Sequence, residues 1–303
     1  MARYLIVGGT GLVGRAMVKR LLERGDHVAI GTRSPYREPL SDVRVVRLPL
    51  SPDEWEKAAA QAPFAGVVNL AGRSIFSGRW TRETKQAILS SRVATTQLLV
   101  NWLQNSKTRP SVLVNGSAVG YYGPSAGAEI SEDSEPEQRD FLAGVAAAWE
   151  NAADTAQASG VRVVKARLGV VLAKDGGALP RLLLPYRMRV GGTIGSGRQW
   201  VSWVHIDDAA RLLVAALDQP DVAGPLNVTA PEPVTMRDLG TAIARELGTH
   251  SLFSVPKFAI RAVLGEAGDL ILYGQKVLPK KALASGFDFQ YSTIQDALRQ
   301  LLN

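Results

Sequence analysis

The sequence contains no cysteine among its 303 residues. That excludes disulfides and cysteine-ligated zinc, and makes a cytoplasmic or organelle-interior setting the expectation. Its histidines (His27, His205 and His250) lie far apart, so no metal site is expected. No apolar run approaches the length of a membrane span, and strand-forming residues begin at Tyr4, which argues against a signal peptide. Nor is there a block of like charge. The formal net charge is +7, but Lys and Arg are dispersed, a pattern that fits affinity for anionic ligands rather than a nucleic-acid groove. Repeats and low-complexity stretches are absent. With 46% hydrophobic and 21% charged residues, what remains is ordinary globular composition, long enough for an extended α/β domain and a smaller lobe.

The chain is organised around Gly8-Gly9-Thr10-Gly11-Leu12-Val13-Gly14. Tyr4-Leu5-Ile6-Val7 before it reads as a buried strand. Residues 15–24 after it carry Ala16, Met17, Leu21 and Leu22 at helical spacing, and Val28-Ala29-Ile30 reads as a second strand. Strand, glycine turn, helix and strand make a right-handed βαβ unit. Gly8 allows the sharp turn, Gly11 allows close approach of a pyrophosphate, and Gly14 allows tight packing of the helix, whose free N–H groups and dipole favour phosphate. The G-x-x-G-x-x-G spacing is thus a variant dinucleotide fingerprint. Past the second strand, Gly31-Thr32-Arg33-Ser34-Pro35-Tyr36-Arg37 has no acid to meet a ribose 2′-hydroxyl. Arg33 can meet a 2′-phosphate instead, with Thr32 or Ser34 adding a hydroxyl, which favours NADP(H) over NAD(H).

Further strands are expected at residues 43–48, 66–72, 112–117 and 161–172, with helices at 53–60, 82–104 (capped by Thr81) and 141–159. This alternation argues for a doubly wound, Rossmann-type parallel sheet. Asn69 is expected to hold the small-residue turn at Ala71-Gly72, where backbone can lie against the adenosine ribose. The acidic stretch 129–140 reads as a surface loop. Residues 1–175 form the cofactor domain in this reading, with a late strand and helix from about 200–230 returning to it. Residues 176–200 and 231–303 form a small C-terminal lobe for substrate or partner. Asp207 is a candidate helix cap, His205 either a general acid or a structural hydrogen-bonder to Asp207 or Asp208. Gly191 to Gly197 offers a weaker second phosphate cradle. The stripe Phe258, Ile260, Val263, Leu264, Leu270, Ile271 and Leu272, broken by Gly265, Gly268 and Asp269, reads as lobe packing rather than a membrane-surface helix.

The glycine turn, Asn69-Leu70-Ala71-Gly72, Asn115-Gly116-Ser117-Ala118-Val119-Gly120-Tyr121-Tyr122-Gly123 and Trp203-Val204-His205-Ile206-Asp207-Asp208 follow one another as in extended short-chain dehydrogenases/reductases. More narrowly, with Ser91-Arg92-Val93 and Gly274-Gln275-Lys276-Val277-Leu278-Pro279, the chain resembles an atypical subgroup of them. That subgroup is labelled epimerase family or SulA-like cell-division inhibitor, and a plastid-division factor belongs to it. The resemblance implies a Rossmann-type NADP(H) site in which Gly8, Thr10, Gly11, Leu12 and Val13 surround the pyrophosphate. Arg33 and Ser34 would meet the 2′-phosphate, Asn69, Ala71 and Gly72 the ribose, and Leu168, Gly169 and Val170 the nicotinamide. Ser117 would hydrogen-bond a substrate carbonyl or hydroxyl, and Arg92 is expected among the cofactor-binding residues.

One departure matters more. Such enzymes protonate the alkoxide left by hydride transfer with a tyrosine tuned by a lysine four residues on. Phe141 and Val145 stand at those positions, and no Tyr-x-x-x-Lys follows Ser117. Two readings follow. The chain is an oxidoreductase or nucleotide-sugar epimerase-like enzyme in which Tyr121 or Tyr122 replaces the missing donor, with electrostatic help from Arg92 or Lys85. Alternatively it is a non-catalytic NADP(H)-dependent regulatory or scaffold protein, for example in cell or plastid division, with a protein partner.

Overall fold

The computed structural model describes residues 1–34, 42–76, 78–125, 127–136, 140–250 and 253–303; of 253, 254, 263 and 264 it describes the backbone alone. Pro35, Tyr36, Arg37, the 137–139 part of the acidic stretch and the side chains of Val263 and Leu264 lie outside the described residues.

Seven strands form the central sheet: β1 (Arg3–Val7), β2 (His27–Thr32), β3 (Val45–Pro49), β4 (Gly66–Asn69), β5 (Val112–Ala118), β6 (Arg162–Leu168) and β7 (Gly224–Val228). Their spatial order is β7-β6-β5-β4-β1-β2-β3, every pairing parallel. The order reverses at β1, and in an open α/β sheet the crevice at such a switch point is where ligands lie. Both faces are covered. Along β1, Tyr4 and Ile6 join a core with helix α1 (Leu12–Glu23) and the helix Ile206–Asp218, whereas Leu5 and Val7 join the opposite core with α2 (Pro52–Gln61) and α3 (Arg82–Asn105). Strand side chains alternate between faces, so one apolar run supplies both cores. Helix α4 (Phe141–Asp154) packs beside α3. A third core, around Leu172, Trp203, Leu239, Ile243 and Leu298, lies beyond the carboxyl edge of the sheet.

Several expectations are corrected. The strand foreseen at 43–48 begins at Val45; Val43 is 99% exposed and lies in the turn before it. The strand foreseen at 161–172 breaks at Gly169. Residues Arg162–Leu168 stay in the central sheet, while Val170–Ala173 pair with Trp203–His205 of a separate sheet. A side chain at Gly169 would sit 2.5 Å from the Ser202 carbonyl oxygen, so only glycine lets the chain change sheets there. The acidic stretch is not all surface loop. Glu129–Ile130 pairs with Lys276–Val277, and Glu132 is buried, accepting the backbone N–H groups of Asn227 and Lys281. Asp207 does not cap its helix. His205 does, its Nδ1 accepting the Asp207 N–H at 3.1 Å. The helix foreseen to 159 ends at Asp154 and tightens into a 3₁₀ turn. Gly192–Ile194 of the second glycine loop is a strand beside Phe253–Val255, with Thr193 filling the space at Gly197, so no cradle forms there.

Candidate functional site

The glycine turn leaves β1 at Gly8, whose φ of +86° is open to glycine without strain. A Cβ there would lie 2.7 Å from the Leu70 carbonyl carbon, and one at Gly14 would lie 2.3 Å from the Gly8 carbonyl oxygen. The turn is therefore pressed between α1 and the β4 exit, with Thr10 and Gly11 exposed at its crest. Helix α1 starts after Gly11 with no side-chain cap and no acid in its first turn. Its leading N–H groups and the positive end of its dipole remain available to an anion. Leu12, the first helical residue, packs under the hairpin Gly176–Gly177: a Cβ at Gly176 would meet Leu12 Cδ1 at 3.1 Å. Val13 is half-buried behind it.

From Gly9 and Thr10 a cleft of about 820 Å³ runs past Thr32, Arg33 and Ser34 toward β3. Arg15, Lys19, Arg33, Arg44 and Arg47 line it, against Glu23 and Asp42. Asp42 is engaged by Arg44 at 2.6 Å and is held down to a pKa of about 2 by that pairing. Lys19 lies 3.8 Å from Glu23, and Arg15 donates to the Thr10 carbonyl. Arg33 is exposed at the cleft rim and has no ion-pair partner among the described residues. Ser34 donates its N–H to Thr32 Oγ1 at 3.2 Å, which fixes this end of β2. The donors and the net positive lining suit a nucleotide phosphate.

The other sequence-expected residues divide into those at the crevice and those behind it. Ala71 and Gly72 leave the sheet beside the turn, Ala71 N–H donating to Asn69 Oδ1 at 3.2 Å. Asn69 itself is fully buried and also donates to Thr96 and Asn115, so it shapes this loop rather than meeting a ligand. The Arg92 guanidinium lies against Gly72, where a Cβ would meet its Cζ at 3.0 Å. It donates to the Arg73 and Ile88 carbonyls, stacks on Trp149, and its burial lowers its pKa. Leu168, Gly169 and Val170 lie half-buried at the strand break.

Ser117 and Tyr122 require correction as catalytic candidates. Ser117 is buried and its hydroxyl donates a hydrogen bond to Glu150 at 2.6 Å. Glu150 receives Arg167 through two parallel bonds of 2.8 Å, and both side chains are almost wholly buried. Arg167 also donates to the Tyr122 hydroxyl at 2.9 Å, which in turn donates to Asn227 at 2.8 Å. Desolvation pushes the Tyr122 phenol up to about 12, so it keeps its proton inside the protein. These groups form a closed polar network joining β5, α4, β6 and β7. Tyr121 differs. It is half-buried, the Arg167 guanidinium covers its ring at 3.6 Å, and its hydroxyl takes no part in this network. His205 is structural: fully buried, stacked on Tyr291 at 3.8 Å and bonded to Gln300 at 2.9 Å.

Sequence reading missed Glu150 and Arg167. The one available signal was an arginine in the middle of a strand buried on both faces, which demands a partner.

A family model for NAD dependent epimerases/dehydratases matches residues 4–229, and a domain of unknown function, DUF1731, matches residues 255–301. The chain is 42% identical over 302 residues to the epimerase family protein YfhF of Bacillus subtilis, covering 98% of this chain and 97% of that protein. It is 40% identical over 303 residues to the chloroplastic SDR39U1 homolog of Arabidopsis thaliana, covering 98% and 86%. The crystal structure of the human epimerase family protein SDR39U1 (isoform 2) with NADPH superposes with a TM-score of 0.86 at 34% identity, covering 99% of this chain and 98% of that one. The chain belongs to the NAD-dependent epimerase/dehydratase family, as an atypical short-chain dehydrogenase/reductase of the SDR39U1-like kind that carries a DUF1731 segment.

Proposed function

We propose that this protein binds NADP(H) across the glycine turn, and that occupancy there sets the position of the C-terminal lobe. In this reading Gly8, Thr10, Gly11, Leu12 and Val13 cradle the pyrophosphate, Arg33 and Ser34 take the 2′-phosphate, and Ala71 and Gly72 lie against the ribose. Residues 1–175, with the returning strand and helix near 200–230, serve the cofactor; residues 176–200 and 231–303 serve a substrate or partner. The observation that carries the proposal is the uncapped, acid-free start of α1 together with Arg33 on the same cleft, without an ion-pair partner among the described residues. Leu12 adds the mechanical link, because it touches both the cradle and the Gly176–Gly177 hairpin. The human relative solved with NADPH supports the choice of cofactor. A role in cell or plastid division would be exercised through such a switchable surface.

The test is titration of NADPH and NADH by fluorescence. Arg33→Asp is expected to weaken NADPH at least about tenfold while leaving NADH nearly unchanged, since the charge-assisted bonds lost are those to the extra phosphate. Equal losses refute the assignment of Arg33, and no NADPH binding by the wild type refutes the proposal.

A second reading is favoured by Tyr121 alone. NADP(H) held at the glycine turn would supply hydride chemistry, and reducing a carbonyl there would need a protein group to give its oxygen a proton. Of the two hydroxyls foreseen for this step, only that of Tyr121 stands outside the buried network. Tyr121→Phe should then abolish NADPH oxidation with aldehyde, quinone or nucleotide-sugar substrates and leave NADPH affinity intact. Unchanged turnover ends this reading.

A further inference from the structure

Where the sequence replaces the proton-moving tyrosine by Phe141, the structure has built something else. A second cleft of about 390 Å³ opens beside Phe141, within the range of small-molecule sites, and its lining also includes Trp80, Arg82, Lys85, Gln86, Leu89 and Glu266. Two aromatic faces are held there in advance of any ligand. Trp80 meets Phe141 edge-on at 5.2 Å, and its indole N–H is fixed to the Ile75 carbonyl at 2.9 Å. Phe141 is the first residue of α4, and Asp140 fixes that helix start by accepting the Ala143 N–H at 2.8 Å. Lys85 rises from α3 so that its ammonium lies 5.2 Å from the Phe141 ring centre. Arg82, one turn earlier on the same helix face, adds a second cation at the rim.

The Lys85 ammonium is paired with Glu266, and the two are unequal. Lys85 is only 28% exposed, whereas Glu266 is 64% exposed on a short 3₁₀ turn. A carboxylate in that position contributes little, because exposed ion pairs are worth about 0–1 kcal/mol. A carboxylate carried by a ligand seated in the cleft would be better shielded from water than the one it displaces.

We propose that this cleft is a binding site for a small aromatic carboxylate, its ring against Trp80, Phe141 and Leu89 and its anionic group on Lys85 in place of Glu266. Phe141 then serves as a wall for a ring, which explains a side chain there that can exchange no proton. The site shares no lining residue with the glycine-turn cleft, and the inference does not rest on the NADP(H) reading.

Benzoate is the probe, titrated against the full chain by saturation-transfer NMR, with benzamide as the neutral counterpart and NADPH affinity measured on the same samples. Benzoate should bind saturably and at least about tenfold more tightly than benzamide, since a bond to a charged partner is the stronger one. Lys85→Met should remove that preference, and Trp80→Leu should weaken both ligands. Glu266→Gln leaves every cation in place and should tighten benzoate, and none of the three should alter NADPH affinity. Absence of saturable benzoate binding, equal affinity for benzamide, or a Glu266→Gln variant that binds no more tightly overturns the proposal. These outcomes are independent of whether the wild type binds NADPH.

Discussion

Removing Arg167 is the sharpest test of how the interior behind the crevice is held. Its side chain and that of Glu150 are 4% and 3% exposed, and they share two bonds of 2.8 Å. Arg167→Met leaves a buried carboxylate with only the Ser117 hydroxyl to serve it among the described residues, and strips Tyr122 of a donor. Breaking one side of such a pair costs about 3–5 kcal/mol, a large part of the roughly 5–15 kcal/mol that holds a domain together. Glu150→Gln should cost a similar amount, since it leaves the guanidinium unpaired. The double variant Glu150→Leu/Arg167→Met should lie closer to the wild type than either single one, because no unpaired charge remains. Urea unfolding followed by tryptophan fluorescence gives the midpoints. Ser117→Ala belongs in the same series and should cost about 1.5–3 kcal/mol, the value of a hydrogen bond to a charged group, without altering NADPH affinity. Single variants that cost less than about 1 kcal/mol would refute the reasoning, since one-sided loss of a fully buried pair cannot be that cheap. So would a Ser117→Ala protein of wild-type midpoint that has lost turnover, for that would return Ser117 to the chemistry.

Further outcomes follow from single sites. Gly14→Ala forces a methyl to 2.3 Å from the Gly8 oxygen, so helix and turn must part; NADPH affinity should fall at least about tenfold by fluorescence titration, with circular dichroism nearly unchanged. Gly169→Ala should instead lower the urea midpoint, by about 1–3 kcal/mol, because its methyl meets the Ser202 oxygen at 2.5 Å where the chain changes sheets. Burial lowers the His205 pKa despite Asp207, Asp208 and Gln300 nearby, so the folded state keeps the ring neutral. The unfolded state then binds the extra proton, and this contribution to stability is present above about pH 6.5 and lost as the pH falls from there toward the folded value. His205→Gln should flatten that acid slope in unfolding midpoints measured between pH 7 and pH 5; an unchanged slope refutes it.

The βαβ start was legible because each of its signals is local. Apolar strand, glycine spacing, helical periodicity and the missing acid after β2 sit within one stretch of chain, and each restricts backbone geometry or charge directly. The absence of Tyr-x-x-x-Lys was equally plain, since it needs only two positions on one helix. The roles of Ser117 and Tyr122 were not legible. Each has the right chemical group at the right place in the chain, but its hydroxyl is taken by a partner from another element: Glu150 for Ser117, Arg167 and Asn227 for Tyr122. The strand break at Gly169 was hidden for the same reason. Val161 to Leu172 is apolar enough to be one strand, and only the Ser202 carbonyl shows why it is two.

The sequence by itself determined the doubly wound sheet, the glycine turn and the loss of the usual proton donor, because periodicity, glycine placement and residue identity act over a few neighbours. Tertiary structure alone decided which polar groups face the crevice and which are spent inside. Burial and hydrogen-bond pairing are set by residues 17 to 105 positions apart, as with Arg167 and Glu150 or Tyr122 and Asn227, and no local pattern records which of them will meet.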